Sequence, residues 1–300
     1  MSEPTLRQLR TFLAIVASGS VSVAARSLGI TQPAASQQMR ELERHMGVRL
    51  LERAAGLAKP TAAGEALLAP ARRALAAADD ATAAVAAHRS GEAGKVRLGT
   101  GATACIYLLP PALAAVRKRM PGLQLSVAMG NTDDMVRQVE DGTLDVALVT
   151  LPVPRIRSLA VTRLLTDPMM AVVPKHEAAR FSEPVGAADL AQLPLILFEA
   201  GANVRSLVEG WYGAEGRPAK PAMELGNVEA IKALVAGGLG CSILPGSAIA
   251  SGMRGAVAFA LRPALKRNLA IVLRKEKIVD RGLRTVLDAL LELSKPPLKR

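Results

Sequence analysis

The 300-residue chain carries a formal net charge of +12, and half of its residues are hydrophobic. That supplies apolar side chain for two or three packed units and excludes a disordered polymer. No apolar run of about 18 residues and no basic-then-apolar leader is present, so neither a membrane span nor export is expected, and two cysteines far apart, Cys105 and Cys241, fit a reducing cytoplasm.

In chain order, Leu6, Leu9, Phe12, Leu13 and Val16 recur at helical spacing and give a first amphipathic helix. Next come two short helical patterns around a tight break at Leu28-Gly29-Ile30. Val21, Ala24, Ala25 and Leu28 line the inner face of the first, with Ser20 placed to cap it. In the second, Thr31 caps, Pro33 occupies the first turn where a missing N–H costs little, and Ala35, Met39 and Leu42 form the buried stripe. Gln32, Ser36, Gln37, Arg40 and Arg44 face outward; all are polar, and several can bond a base edge or a phosphate. Gly29 permits the turn and Ala25 the close approach, which together spell a helix-turn-helix. A plain helical hairpin with a solvated face would show the same pattern over this stretch alone. Beyond Gly47, Val48–Arg53 and the return through Ala54–Pro60 read as a short hairpin wing from which Arg53 and Lys59 can reach phosphates; Lys59 serves equally as a solvated charge.

Charge does not single out this region. Residues 1–60 hold eight Lys and Arg against four Glu, residues 61–95 balance, and the remaining excess lies downstream. From Ala62 to Arg89 half of the residues are Ala, behind a capping Thr61 and a Glu65 suited to the positive helix end. Such a helix, about 40 Å long, has too shallow an apolar face to stand alone and calls for a partner, most simply its own copy. Pro70 costs roughly 3 kcal/mol inside a helix, so either a bend near Leu67 or a start at Pro70 is expected.

After the hinge Ser90–Gly94 the period changes. Strands are expected at Val96–Gly99, Leu123–Met129 and Asp145–Thr150, with helices at Leu108–Met120 and Asp133–Asp141. Past Leu151-Pro152-Val153-Pro154 a second series follows, with strands at Ala160–Leu165, Met169–Pro174, Leu193–Phe198, Ala222–Leu225 and Cys241–Leu244. Helices are expected there at Val204–Tyr212 and Val228–Ala236, then a strand at Arg267–Arg274 and a closing helix at Asp280–Leu293. This alternation argues for parallel sheets with covering helices in two lobes around a ligand cleft. Thr100-Gly101-Ala102-Thr103 and Asn131-Thr132 each follow a strand and open a helix, and Thr150 ends a strand, which suits a small polar or anionic metabolite. Thr132, Asn131 and Asn227 serve equally well as simple helix caps. Enzyme signatures are missing: His45, His88 and His176 are scattered, and Gly237–Gly240 lacks the Lys-Ser/Thr of a phosphate loop. The expectation is a non-enzyme without a metal or cofactor. A solute-binding module without DNA activity is the rival reading, and a secretion leader would favour it.

The stretch Ser22-Val-Ala-Ala-Arg-Ser-Leu-Gly-Ile-Thr-Gln-Pro-Ala-Ala-Ser36, with Leu42-Glu43, Gly47–Arg53 and Thr61-Ala-Ala-Gly64, resembles the LysR-type transcriptional regulators. So do Asp141–Leu148 and Ala236–Pro245 further on. The resemblance spans nearly the whole chain. It implies a winged helix-turn-helix over residues 1–60, a linker and dimerisation helix over 61–91, and a two-lobed α/β effector-binding domain, similar to periplasmic solute-binding proteins, over 92–300. Lobe I would hold 92–161 and 268–300, and lobe II 162–267. It further implies a cytoplasmic homodimer or homotetramer on a pseudo-palindromic promoter site in double-stranded DNA, with RNA polymerase as a further partner and no membrane. DNA contacts are expected from Ser20, Thr31, Gln32, Pro33, Ser36, Gln37, Arg40, Arg53 and Lys59. The effector would touch Thr100, Gly101, Thr103, Asn131, Thr132 and Thr150 from one lobe. Family position adds Phe198, Glu199, Gly201, Asn203, Asn227 and Val228 from the other. Two departures stand out: Leu51 where the family usually has Phe, and a wing poor in basic residues.

Overall fold

The computed structural model describes residues 3–54, 57–86, 94–250 and 252–294, with side chains left out at 53, 54 and 83–86. The expected hinge at 90–94 lies outside the described residues except for Gly94. By contact density the chain forms two units, one N-terminal and one holding nearly all residues from 89 onward.

In the N-terminal unit, α1 (Leu6–Ser18) opens with a capping box: Thr5 Oγ1 accepts from the Gln8 amide at 3.3 Å while Gln8 Oε1 accepts from the Thr5 amide at 2.9 Å. Its inner face is Leu9, Phe12 and Ile15; Leu6, expected to be inside, is 43 % exposed, because the helix's first turn lies beyond the packed core. Ser20 caps α2 (Val21–Ser27) and Thr31 caps α3 (Gln32–Met46), each hydroxyl accepting a backbone N–H at 3.4 Å. Between them Gly29 takes φ +67°, the left-handed conformation that only glycine adopts cheaply. Ala24, Ala25, Ala35, Met39 and Leu42 are buried, so the small residues do let α2 and α3 close on α1. The wing is the antiparallel pair β1 (Leu51–Ala54) and β2 (Leu57–Pro60), in a register that sets Glu52 opposite Lys59. A bond from the Ala58 amide to the Gly19 carbonyl, 2.8 Å, pins β2 to the end of α1. The helix α4 runs unbroken from Ala62 to Ala86 and contains Pro70, which corrects the alternative of a start at Pro70. It holds because the proline removes one donor while Leu67, Leu68 and Ala71 on either side pack against the three-helix core.

In the second unit β3 (Lys95–Thr100), α5 (Ala102–Tyr107), α6 (Leu109–Arg119), β4 (Gln124–Met129), α7 (Thr132–Glu140) and β5 (Val146–Thr150) come first. The single helix expected over Leu108–Met120 is preceded by a separate short α5. Strand β6 (Leu159–Pro174) is one 16-residue strand where two were expected. It runs on because it has partners along its whole length: β11 (Lys266–Arg274) up to Pro168, then β9 (Ser242–Pro245) and β10 (Ala256–Ala260) beyond. Between these lie α8 (Ala187–Leu190), the parallel pair β7 (Leu195–Phe198) and β8 (Pro221–Leu225), α9 (Asn203–Ala214) and α10 (Val228–Ala236); α11 (Arg281–Glu292) ends the fold. The sheet order is β10-β6-β11-β5-β3-β4, with β9 also on β6. β3 is parallel to β4 and β5 as alternation predicts, but β11 is antiparallel to both β5 and β6, since the chain re-enters the first lobe from the second. The strand β10, not foreseen in the sequence, lacks a strong apolar alternation.

Each lobe of this unit has a packed core. Val96, Leu98, Leu109, Val116, Leu148, Ile271, Val286 and Leu290 fill one in the first lobe; Val172, Ile196, Val208, Trp211, Ile231 and Ile243 fill the core of the second lobe. In the first lobe Asp145 joins β3, β5 and the segment after β11: it accepts from the Arg97 amide at 2.7 Å and Arg97 Nη2 at 3.0 Å, and pairs with Lys277 Nζ at 2.9 Å. Burial works against its charge, yet the bonds from Arg97 and Lys277 prevail and hold the carboxyl below the usual carboxylate range.

Candidate DNA-reading surface and effector cleft

The inner face of α3 is spent on the core, which leaves its outer face to solvent. Gln32, Pro33, Gln37 and Arg40 are exposed and Ser36 half-buried. Two of these side chains are pre-set by neighbours. Ser22 Oγ donates to Gln32 Oε1 at 3.0 Å, so the Gln32 amide presents its NH2 outward as a donor. Gln37 Nε2 donates to Glu41 Oε1 at 3.0 Å; that bond and one from Gln8 hold the Glu41 carboxyl below its ordinary range. Arg40 has no acidic partner among the described residues and keeps all its donors. The hydroxyls of Ser20 and Thr31, each accepting a backbone amide, still have a proton to donate. Lys59 is exposed on β2, across from Glu52, which offsets part of its charge. The Arg53 side chain lies outside the described residues.

A cleft of about 220 Å3 opens between the two lobes of the second unit. Gly101, Thr103, Asn131, Thr132 and Thr150 line it from the first lobe, and Phe198, Glu199 and Asn203 from the second. The Thr150 carbonyl is where the walls meet: it accepts from Thr132 Oγ1 at 3.3 Å and, across the cleft, from Asn203 Nδ2 at 3.1 Å. Asn203 also donates to the Pro152 carbonyl at 3.1 Å. A second link between the lobes joins Lys232 Nζ on α10 to Tyr107 Oη on α5, 2.8 Å, with the ammonium 5.0 Å from the ring centroid.

Four of the expected contacts fall outside this lining. Thr100 is fully buried and its hydroxyl donates to the Leu148 carbonyl at 2.9 Å, because strand alternation turns it into the sheet. Asn227 Oδ1 caps α10 by accepting from the Glu229 amide at 2.8 Å, Val228 is buried in the second core, and Gly201 sits exposed in the turn before α9. Sequence reasoning missed Arg267, which lines the cleft and is 2 % exposed.

The sequence model described as "Bacterial regulatory helix-turn-helix protein, lysR family" matches residues 6–65, and that described as "LysR substrate binding domain" matches residues 89–295. The chain belongs to the LysR family of transcriptional regulators. Among curated relatives, the HTH-type transcriptional regulator CbbR of Xanthobacter flavus is 36 % identical over 285 residues, covering 93 % of this chain and 85 % of that one. A probable hydrogen peroxide-inducible genes activator of Mycobacterium avium is 32 % identical over 299 residues, covering 97 % and 94 %. Full-length CbnR in complex with its target DNA superposes with a TM-score of 0.70 at 26 % identity, covering 96 % of this chain and 99 % of that one. A full-length OxyR variant from Pseudomonas aeruginosa gives 0.78 at 23 % identity, covering 97 % and 95 %, a likeness of fold.

As a LysR-type regulator the protein combines a DNA-binding winged helix-turn-helix with a two-lobed α/β effector-binding domain. Arg267 of this regulator is held by Asp167: Nε and Nη2 reach Oδ2 at 3.0 and 2.8 Å, and Ser247 bonds both partners. Burial pushes the Arg267 guanidinium down from its ordinary value, and attraction to Asp167 opposes that. Cys241 is fully buried and burial pushes its thiol up to about 12, so at neutral pH it is a packed thiol and not a thiolate. Among the described residues no helix is long and apolar enough to cross a membrane.

Proposed function

We propose that the regulator works in the cytoplasm, by binding and not by catalysis. As a homodimer or homotetramer it reads a pseudo-palindromic promoter site through Gln32, Pro33, Ser36, Gln37 and Arg40. Ser20, Thr31, Arg53 and Lys59 contact phosphates, and RNA polymerase is the downstream partner. The observation that carries this is the outer face of α3, where Gln32 and Gln37 are oriented by Ser22 and Glu41 and Arg40 is left uncommitted. Two recognition helices on one DNA face must sit about 34 Å apart or a multiple of it, which requires an oligomer. Arg40→Ala is expected to cost about 1–3 kcal/mol, roughly 5- to 150-fold in affinity, in a gel shift with the DNA upstream of the regulator's own gene. An unchanged complex, or one without salt dependence and sequence preference, overturns the assignment.

The cleft is assigned to a small polar or anionic metabolite, with Gly101, Thr103, Asn131 and Thr132 on one wall and Phe198, Glu199 and Asn203 on the other. Thr100, on the first-lobe strand β3, and Gly201, Asn227 and Val228 of the second lobe are outside this contact set. Because Asn203 bonds Thr150 and Pro152 across the cleft, a ligand that displaces or reinforces those bonds shifts the balance between lobe positions. A thermal-shift screen of small carboxylates and phosphates is expected to give a hit whose affinity drops by about tenfold in Thr103→Val, one lost hydrogen bond to a charged group. A hit that binds Thr103→Val and Asn131→Ala as tightly as the native chain rules the cleft out.

A further inference from the structure

A second concavity lies on the outer side of the crossover, where Leu151–Arg157 leave β5 and run beside β6. It measures about 670 Å3 and is walled by that segment, by Val161 and Arg163 of β6 and by Leu207 of α9. Its composition is uneven. The floor is apolar: Val153 and Ile156 pack on the cluster of Leu159 and Val272, and Val161 is 43 % exposed although it is β-branched and in a strand. The polar groups are three arginines, Arg155, Arg157 and Arg163, all exposed. No Asp or Glu lines the groove, and none of the three guanidiniums has an acidic partner among the described residues. Some arginines of the same domain are paired, as Arg97 with Asp145, Arg119 with Glu292, Arg205 with Glu209 and Arg267 with Asp167; the three in the groove stand together without a counter-charge among the described residues.

We propose that this groove binds a small amphipathic carboxylate. Its apolar body lies along Pro152, Val153, Ile156 and Val161, and its carboxylate is taken by the arginines. Guanidinium forks match a carboxylate bidentately, and three like charges around one concavity repel each other until an anion enters. The volume falls inside the range of ordinary ligand pockets. A highly charged phosphate would leave the apolar floor uncovered, and a neutral hydrocarbon would leave the charge unmet. The groove and the cleft are linked by one side chain: the Pro152 carbonyl, on the groove segment, accepts from the same Asn203 Nδ2 that bonds the Thr150 carbonyl in the cleft. Occupancy of the groove therefore bears on the lobe contact that borders the cleft. The proposal does not rest on the cleft assignment.

The test is calorimetric titration of the full chain with 4-phenylbutyrate, alongside 4-phenylbutan-1-ol, which lacks the charge, and succinate, which lacks the apolar body. One phenylbutyrate is expected to bind per chain, with both comparators weaker by about tenfold or more. Arg157→Gln is expected to weaken phenylbutyrate, and the combination Arg155→Gln, Arg157→Gln, Arg163→Gln to abolish it. All three positions are exposed, so the fold should be retained, which circular dichroism checks. Thr103→Val, in the cleft, should leave it unchanged. No binding to the native chain, undiminished binding to the triple variant, or loss of binding in Thr103→Val overturns the proposal. So does a triple variant that changes oligomeric state while the native chain ignores phenylbutyrate, which would mark the groove as a contact between copies.

Discussion

Asp167→Ala destabilises the effector-binding domain by about 3–5 kcal/mol, because it leaves a guanidinium buried without its counter-charge. Arg267 is 2 % exposed and Asp167 5 % exposed, so the charge left behind is largely withdrawn from water. Ser247 alone remains, with its hydroxyl 3.1 Å from Arg267 Nη2 and its own amide, which donates to Asp167 Oδ1 at 3.0 Å, left unpaired. The two charged residues face each other in register on β6 and β11, the strands that join the lobes, so the damage falls on the crossover itself. Trp211 is the sole tryptophan and lies in the core of the second lobe, so urea unfolding followed by its fluorescence reports this domain. For a domain of about 200 residues the melting temperature should fall by on the order of 10 °C. The paired replacement Asp167→Leu with Arg267→Met removes both charges and is expected to recover most of the loss. A single variant within about 1 kcal/mol of the native chain would show that Arg267 finds water or another acceptor when Asp167 is gone.

Gly64→Ala disrupts the junction between the wing and α4. A Cβ at this position would sit 2.2 Å from the Leu50 carbonyl oxygen and 3.1 Å from Pro60 Cβ. The obstruction is main chain and cannot rotate away. That same carbonyl accepts from the Thr61 amide at 3.0 Å, while Thr61 Oγ1 donates to the Arg49 carbonyl at 2.8 Å and accepts from the Gly64 amide at 3.1 Å. Moving α4 away from residues 49–50 therefore gives up these bonds as well. The expected cost is at or above the upper end of the 1–3 kcal/mol or so typical of overpacking. Inside an ordinary helix glycine to alanine would instead gain about 1 kcal/mol, so the sign itself is diagnostic. Gly29→Ala is the contrast: nothing lies within 4 Å of the added carbon, and only the left-handed φ is penalised, by about 1–2 kcal/mol. Helical circular dichroism on heating, with DNA affinity alongside, separates the two; equal losses for both variants would refute the steric account.

The DNA-reading end was legible because its determinants are local. The caps Ser20 and Thr31, the glycine at 29, the proline in the first turn of α3 and the stripe Ala35, Met39, Leu42 all act within one or two helical turns. The wing's poverty in charge was legible too, and the structure adds that Glu52 stands opposite Lys59 and offsets part of its charge. In the cleft, Thr103, Asn131 and Thr132 could be found because a strand end followed by a helix start is a local pattern. Thr100 was misplaced by a single residue, since alternation in β3 was enough to turn its hydroxyl into the sheet.

What the sequence by itself determined is the set of elements whose formation depends on neighbours a few residues apart, and with them the helix-turn-helix, the Ala-rich helix and the two-lobed α/β domain. Only the tertiary structure decided which distant groups meet. Arg267 reaches Asp167 across 100 positions, Asn203 reaches Thr150 and Pro152 across the cleft, and Gly64 meets Leu50 because the wing folds back under α4. The antiparallel return of β11 brings the pairing of Arg267 with Asp167 about in the effector domain. No local period encodes it, because strand direction is set by which lobe the chain last visited and not by the side chains of the strand.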